Sequence, residues 1–162
     1  MRTMTLALLL TACTGSETSA PPAPAPEPAA EEKKAIAPDS PEALAVPEGA
    51  RVFFAEPTNG SFVDSPVAVV MGVEGMEVKP AGEIVPGTGH HHIIVNGDAI
   101  AEGGVVPKDT QHIHYGKGET ETELELPPGE HTLRLQFANG AHLSYGEKMS
   151  ATITVKVQEP LE

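Results

Sequence analysis

The sequence is poor in the residues on which several common kinds of site depend. Its 162 residues include one cysteine, no tryptophan and only 4% aromatic residues. One cysteine cannot close an internal disulfide, and it cannot supply a zinc or iron–sulfur site built from thiolates. Any metal site must therefore use histidine, methionine or carboxylate ligands.

Basic residues and long apolar runs are also scarce. Ten Lys and Arg residues stand against 23 Asp and Glu residues, which gives a formal net charge of −13. An acidic surface repels phosphate backbones and anionic lipid headgroups, so we exclude nucleic-acid binding and electrostatic adsorption to membranes. Because no apolar run reaches about 18 residues, the length that spans a bilayer, we also exclude a polytopic membrane protein.

The N-terminus resembles the export signal of a bacterial lipoprotein. Arg2 precedes the apolar run from Met4 to Ala12, and Leu10-Thr11-Ala12-Cys13 resembles a lipobox. The resemblance implies that residues 1–12 are a signal peptide and that lipidated Cys13 becomes the first mature residue, stably anchored by its acyl chains. The resemblance further implies that Thr14, which is not aspartate, favours the periplasmic side of the outer membrane over the inner membrane. The alternatives are an ordinary cleaved signal and a start codon placed too late.

Residues 13–49 have the composition of a linker. After Cys13 they are rich in Pro, Ala, Ser and Glu and nearly free of large apolar side chains, so they cannot bury enough surface to offset the entropy of ordering. The run APPAPAPEP favours polyproline II and therefore a semi-rigid spacer. We expect a disordered linker here, with a short helix over Pro41 to Ala45 that carries no function.

Residues 50–158 alternate apolar and polar side chains in short runs. Turn signals separate the runs at intervals of about 8–12 residues, which predicts an all-β, immunoglobulin-like antiparallel sandwich of about seven strands. Residues 159–162 form a short tail. Val67, Val69, Met71 and Val73 share one face of a strand, and Met71 is expected in the core.

Two turns in this domain predict hairpins. Asn96-Gly97-Asp98 closes the run HHHIIV, and Asn-Gly is a strong hairpin dipeptide. Pro127-Pro128-Gly129 joins TETELEL to HTLRLQF, and both runs alternate apolar and polar residues. The second pair is the clearest hairpin that the sequence predicts.

Three strings together resemble a known family. They are GTGHHHIIVNGD, HIHYGKGETETELELPPGEHTLRLQFANGAHLSYG and SATITVKV. They resemble an uncharacterised bacterial exported domain, the domain-of-unknown-function family 4399, over about Ala50 to Val157. The resemblance implies an exported sandwich domain and implies no particular activity.

Seven histidines are the main chemical feature of the chain. Because strand side chains alternate, His90 and His92 point one way and His91 the other, together with Ile93 and Val95. His112 and His114 likewise share the face opposite Ile113. If the apolar faces form the core, the remaining imidazoles point outward, and rings on neighbouring strands can converge. With His142 as a cap from a later loop, the predicted metal ligands are His90, His92, His112, His114 and His142.

The predicted ion is copper or zinc. Imidazole suits Zn, Cu(II) and Ni, and an exposed Met76 or Met149 at the same end of the sandwich would favour copper. Two non-metal alternatives are a structural hydrogen-bond network and a pH sensor that titrates near pH 6.5.

The remaining candidates have structural interpretations. We expect His91 to be partly buried and bonded to the backbone, and His131 to be a hydrogen-bonded residue beside a turn. Four glycines flank the histidine motifs, either because a turn needs positive φ or because backbone approaches a ligand closely; they are Gly87, Gly89, Gly116 and Gly118.

Catalysis has little support in the sequence, because no serine lies in a nucleophile-elbow context and no residue is predicted to be catalytic or to bind an organic cofactor. The predicted function is that of a monomeric exported lipoprotein, held to the membrane only by its lipid, whose histidine-rich surface site binds or carries copper or zinc. The alternative is a non-metal adhesion or scaffold module of the cell envelope, in which the histidines are structural. A metal-dependent hydrolase would need an open coordination position, which no sequence motif indicates.

Overall fold

The computed structural model describes residues 34–159, which fold as the predicted all-β sandwich. Two short 3-10 helices, Pro41–Leu44 and Glu147–Met149, accompany nine strands, two more than predicted. The strands are β1 Arg51–Glu56, β2 Phe62–Val63, β3 Val67–Glu74, β4 Glu77–Val78, β5 Thr88–Val95, β6 His112–His114, β7 Glu121–Leu124, β8 Gly129–Ala138 and β9 Ser150–Val157.

The expected signal peptide, the lipidation site Cys13 and the linker up to residue 33 lie outside the described residues. Within residues 34–159, no helix is long and apolar enough to cross a membrane.

The strands divide between two sheets. One sheet has the order β1-β3-β7. The other has the order β2-β9-β8-β5, and both β4 and β6 pair with the free edge of β5. Strands β2 and β9 pair in parallel, as do β4 and β5, whereas the remaining pairs are antiparallel. This distribution of consecutive strands between two sheets is that of an immunoglobulin-like sandwich.

The hydrophobic core lies between the sheets and follows the alternation in the sequence. Val67, Val69 and Met71 of β3 are buried, as the period of two predicts. Across the core lie Leu133, Leu135 and Phe137 of β8, all fully buried. Full burial of one such side chain stabilises a fold by about 1.5–3 kcal/mol.

Neither Met76 nor Met149 is exposed, so the condition that would favour copper is not met. Both side chains belong to the buried hydrophobic cluster. Both lie outside the strands but among apolar neighbours, where methionine fills irregular space. Neither thioether is therefore available at the surface, and the sulfur-based argument for copper is lost.

The hairpin predicted around Pro127-Pro128-Gly129 is also wrong. β7 pairs with β3, whereas β8 pairs with β5 and β9, so the two runs belong to opposite sheets. This turn therefore carries the chain across the core from one sheet to the other. Its two prolines have no N–H to donate to a ladder, and Gly129 takes φ +132°. Alternation alone does not distinguish a hairpin from a crossover, because in both cases each strand turns its apolar side chains towards the same core.

The turn after HHHIIV opens a long connection and does not close a tight hairpin. Asn96 takes φ +54°, as a turn residue does, but β6 begins only at His112. The connecting residues 97–111 and the later residues 139–146 lie against each other: Val105 bridges to Leu143, and the Val106 N–H donates to the His142 carbonyl at 3.0 Å. We call these two segments the outer cover.

The outer cover lies over the face of the six-stranded sheet that points away from the core. Gln136 of β8 ties it to that face. Its Nε2 donates to the Gly146 carbonyl at 3.0 Å, and its Oε1 accepts from the Ile100 N–H at 3.3 Å. Ile94, on the same face, is completely buried. The sheet is therefore covered on both sides around Ile94 of β5 and Gln136 of β8.

Part of the expected linker packs on the sandwich. Ile36 pairs with Ile84, Ala43 is only 1% exposed, and Leu44 and Val46 pack against the core. The Asn139 amide donates to the Ala43 carbonyl at 3.1 Å. The short helix expected near Pro41 is present as a 3-10 turn. Apolar side chains scattered among Pro, Ala and Glu are sufficient for residues 36–46 to dock.

Candidate metal site

Strand register brings three histidines to one face. His92 lies opposite His114 on β6, while Ile93 lies opposite Ile113. Because Ile93 is completely buried in the core between the sheets, His90, His92 and His114 face the outer cover. The facing direction predicted from alternation is confirmed.

The outer cover supplies the fourth histidine. His142 has φ +65°, a region that costs a non-glycine residue about 1–2 kcal/mol. The conformation is held by Asn139, whose carbonyl accepts from the His142 N–H at 2.9 Å and whose Oδ1 accepts from the Ala141 N–H and the Leu143 N–H. This backbone conformation points the His142 imidazole at the sheet.

The four rings form a compact group. Each of His90, His92, His114 and His142 offers one nitrogen, and these four atoms lie within 4.8 Å of one another. One pair, His114 Nε2 and His142 Nε2, is 3.1 Å apart. In a tetrahedral site with metal–nitrogen bonds of about 2.0–2.1 Å, ligand nitrogens are about 3.3 Å apart. The separations within the group bracket this value, so the group is able to hold one metal ion.

His112 does not join the group, although the sequence assigned it to the site. Register places it opposite Ile94, two pairs beyond His92 and away from His90. Its Nδ1 donates to Asp109 Oδ1 at 2.8 Å, and this hydrogen bond holds the pKa of the Asp109 carboxyl below its usual range. His112 and His114 share a face, as predicted, but only His114 lies beside the β5 histidines.

Two of the four imidazoles are buried, so the site is not simply a surface patch. His90 is 0% and His92 1% exposed, whereas His114 is exposed and His142 is half-buried. The sequence indicated that these rings point away from the core, and they do. Solvent is excluded from two of them because the outer cover lies above the sheet.

Burial favours the neutral form of three of these imidazoles, those of His90, His92 and His114. Burial, assisted by the neighbouring histidines, lowers the pKa of His90 to about 4 and that of His92 to about 2. Burial also lowers the pKa of His114, assisted by His142 and by the charge of Lys108. Neutral imidazole is the form that donates a lone pair to a metal, so these three rings are ready to ligate at neutral pH.

Hydrogen bonding within the described residues leaves much of the group unsatisfied. Both ring nitrogens of His90 and Nδ1 of His92 are buried without a partner. A buried polar atom without a partner costs about 1–3 kcal/mol. Within the group, His114 and His142 are hydrogen-bonded to each other. This bond does not involve His90, whose ring nitrogens stay without a partner among the described residues.

The other two histidines have different environments. His91 is completely buried against Phe137, with ring centroids 5.0 Å apart, and neither of its nitrogens has a partner among the described residues. The expected bond to the backbone is therefore wrong, and burial lowers the pKa of His91 to about 4. His131 is hydrogen-bonded as predicted: Nε2 donates to the Pro127 carbonyl at 2.8 Å, and Nδ1 accepts from Asn96 Nδ2 at 3.1 Å.

The glycines that flank the histidine motifs divide between the two explanations. Gly87 and Gly118 take positive φ, which the turns require. At Gly89 an added Cβ would collide with the Ala138 carbonyl, and at Gly116 it would overlap the His114 imidazole. Gly116 is therefore needed so that the His114 ring can lie where it does.

Sequence reasoning did not identify the residues that position this site. The alternation in HTLRLQF indicates only that Gln136 points away from the core, and it does not extend to Asn139. Tyr145 donates its hydroxyl to the Thr88 carbonyl at 2.7 Å at the start of β5, and burial raises the pKa of Tyr145 to about 12. A polar residue in the outward phase of an otherwise apolar strand was the available signal for Gln136, but it does not reveal what the side chain binds.

Comparison with known proteins identifies the family. The family described as Domain of unknown function (DUF4399) matches residues 69–158, more than half of the chain and all seven histidines, so the chain belongs to this family. The resemblance noted in the sequence is confirmed. No curated protein and no solved structure matches the chain.

Proposed function

We propose that this member of the DUF4399 family binds one transition-metal ion, copper or zinc, through His90, His92, His114 and His142. The observation that carries the proposal is the convergence of four imidazole nitrogens within 4.8 Å. Two of these rings are buried, and His90 has no other partner in the described chain. A bound cation would satisfy nitrogens that are otherwise costly to bury.

The donor set limits the choice of ion. The group consists of histidines, and within the described residues no cysteine or carboxylate belongs to it. Imidazole suits Zn and Cu(II), whereas Cu(I) prefers the thioethers that are here buried in the core. Zn(II) and Cu(II) are therefore the ions to test first.

We further propose that the domain carries its metal in the cell envelope, anchored by lipidated Cys13. The support is the lipobox-like Leu10-Thr11-Ala12-Cys13 after an apolar run. A lipid on the N-terminal cysteine would hold the sandwich near the membrane without any spanning segment.

One observation favours a second function. His114 and His142 are hydrogen-bonded directly, at 3.1 Å, and this contact ties the outer cover to β6 without a metal. Under this alternative, the domain is an envelope scaffold or adhesion module, and the histidines stabilise the cover.

Metal content separates the two functions. Full-length chain purified without a histidine tag should retain or take up about one equivalent of Zn(II) or Cu(II), measured by elemental analysis after buffer exchange. His114→Ala should abolish this binding. His112→Ala is the matched control, because His112 lies on the same strand and the same face but outside the group, and it should bind normally.

Two results would contradict the metal proposal. One is a parent chain that takes up no metal. The other is equal loss of metal in His112→Ala and His114→Ala, because a site defined by these four rings predicts a difference. Circular dichroism of each variant would establish that the fold is retained.

A further inference from the structure

A cavity of about 340 Å³ adjoins the histidine group. Three of the proposed ligands, His92, His114 and His142, form one wall of it. The fully buried His90 does not line the cavity, although it belongs to the same group as the three histidines that do. A metal ion held by the four imidazoles would therefore face open space on the cavity side, with protein behind it.

The other walls come from the outer cover. They are apolar except for one cation, and they consist of Val105, Val106, Pro107, Lys108 and Ala141. Val105 is 64% exposed, so apolar surface extends to the mouth of the cavity. The cavity size lies at the lower end of the range for small-molecule sites, which are mostly apolar with a few placed polar groups.

The charge of this lining differs from that of the chain. The chain carries a net charge of −13, yet no acidic residue lines the cavity, and Lys108 contributes a positive charge there. A cation and a metal ion on adjoining walls attract an anion, and the valine and proline surface accommodates a short hydrocarbon tail.

We propose that this cavity admits a small organic carboxylate, which binds the metal through an oxygen beside Lys108 and packs its tail against Val105 and Val106. This inference rests on the proposed metal site and specifies its ligand class. A metal bound by four imidazoles would become five-coordinate, which both Cu(II) and Zn(II) accept. The centre is thus open to an exogenous ligand, although four protein ligands surround it.

Butyrate binding to the copper-loaded full chain tests this inference. Elemental analysis first establishes one Cu(II) per chain. Sodium butyrate is then added at constant ionic strength, and the visible ligand-field absorption and the electron paramagnetic resonance spectrum are recorded. We expect a saturable spectral change. Acetate should bind about tenfold more weakly because it lacks two buried methylene groups, and butylammonium should not change the spectrum.

Matched lysine variants locate the anion. Lys108→Met should weaken butyrate binding up to about fivefold, the range of an exposed ion pair, with copper content unchanged. Lys156→Met removes the same charge from β9, two strands from β5 in the same sheet, and should have no effect.

The outcomes separate this inference from the metal proposal. A chain that takes up no copper would overturn both. A copper-loaded chain whose spectrum does not respond to butyrate would overturn the carboxylate site alone, as would equal effects of Lys108→Met and Lys156→Met or of butyrate and butylammonium.

Discussion

At the scale of single residues, the site depends on small side chains as well as on its ligands. Gly116 leaves space that the His114 ring occupies. Its φ is not in the left-handed region, so the backbone conformation itself would accept alanine. The requirement for glycine here is therefore steric. It leaves room for the His114 ring, which is itself exposed.

Gly116→Ala should weaken metal binding about tenfold or more while leaving the fold intact. The new methyl group would displace the His114 imidazole, and an exposed ring can move without unpacking the core. Competition with a chelating dye measures the affinity, and His114→Ala provides the limit of complete loss. Parent affinity in Gly116→Ala would show that His114 is not held at this position.

His91 carries a different consequence at the same scale. Its imidazole is buried without a hydrogen-bond partner in the described chain, and burial lowers its pKa to about 4. In the unfolded chain a histidine titrates near 6.5, so between about pH 6.5 and 4 the unfolded state binds more protons than the folded state. The contribution of His91 protonation to the free energy of unfolding is therefore fully present above about pH 6.5. It is lost as the pH falls through this window.

His91→Leu should stabilise the metal-free chain and reduce its sensitivity to acid. It replaces an unsatisfied polar ring with an apolar side chain of similar size, for a gain of about 1–2 kcal/mol at pH 7. It also removes one of the buried histidines that make the free energy of unfolding depend on pH. One such histidine changes this free energy by at most about 1.4 kcal/mol per pH unit between pH 6.5 and 4. Urea unfolding at pH 7 and pH 5, with EDTA present, measures both effects.

The acid sensitivity of His91→Leu should not disappear, because burial also lowers the pKa of His90 and His92. Metal affinity should be unchanged, since His91 faces the core. A variant that is less stable than the parent at pH 7 would mean that the His91 ring contributes a packing interaction that leucine cannot replace.

At the scale of elements, the segment before the first strand belongs to the domain. Ala43, Leu44 and Val46 contact the sandwich, and Ala43 bonds to Asn139, which also orders the turn that carries His142. The segment therefore supports the outer cover indirectly.

A chain that begins at Ala50 should be less stable than one that begins at Lys34. Loss of the docked side chains and of the Asn139 partner should cost about 2–4 kcal/mol, which corresponds to a fall in Tm of roughly 10 °C. Thermal unfolding of the two chains under the same conditions measures this difference. Equal Tm values would mean that residues 34–49 contribute no stabilising contacts.

At the scale of the whole molecule, the proposed anchor and the folded domain are separate features. The domain presents its histidine group within residues 34–159, whereas Cys13 lies in a different part of the chain. The proposed lipid would determine where the protein is, and the sandwich would determine what it binds.

Cys13→Ser should therefore release the chain from the membrane fraction or leave an unprocessed precursor, because serine has no thiol to acylate. Cell fractionation and incorporation of labelled palmitate measure this change. The variant should still bind one metal ion per chain. Unchanged membrane association and labelling would contradict the lipoprotein assignment.

Several features of this protein follow from the sequence alone, because they depend on local periodicity. Alternation of side chains along a strand is a property of the backbone. It places His90 and His92 on one face of the strand and Ile93 on the other face in any sheet. The same alternation predicts the sandwich and the burial of Val67, Val69 and Met71. The matching strings also identify the family.

Only the tertiary structure decided which elements meet. The register between β5 and β6 places His114 beside His92 and leaves His112 with Asp109, although both histidines share a face. The crossover at Gly129 and the burial of the site beneath the outer cover are likewise long-range. Strand pairing and loop docking depend on contacts between residues far apart in the chain, and a local pattern carries no information about which distant partner satisfies it.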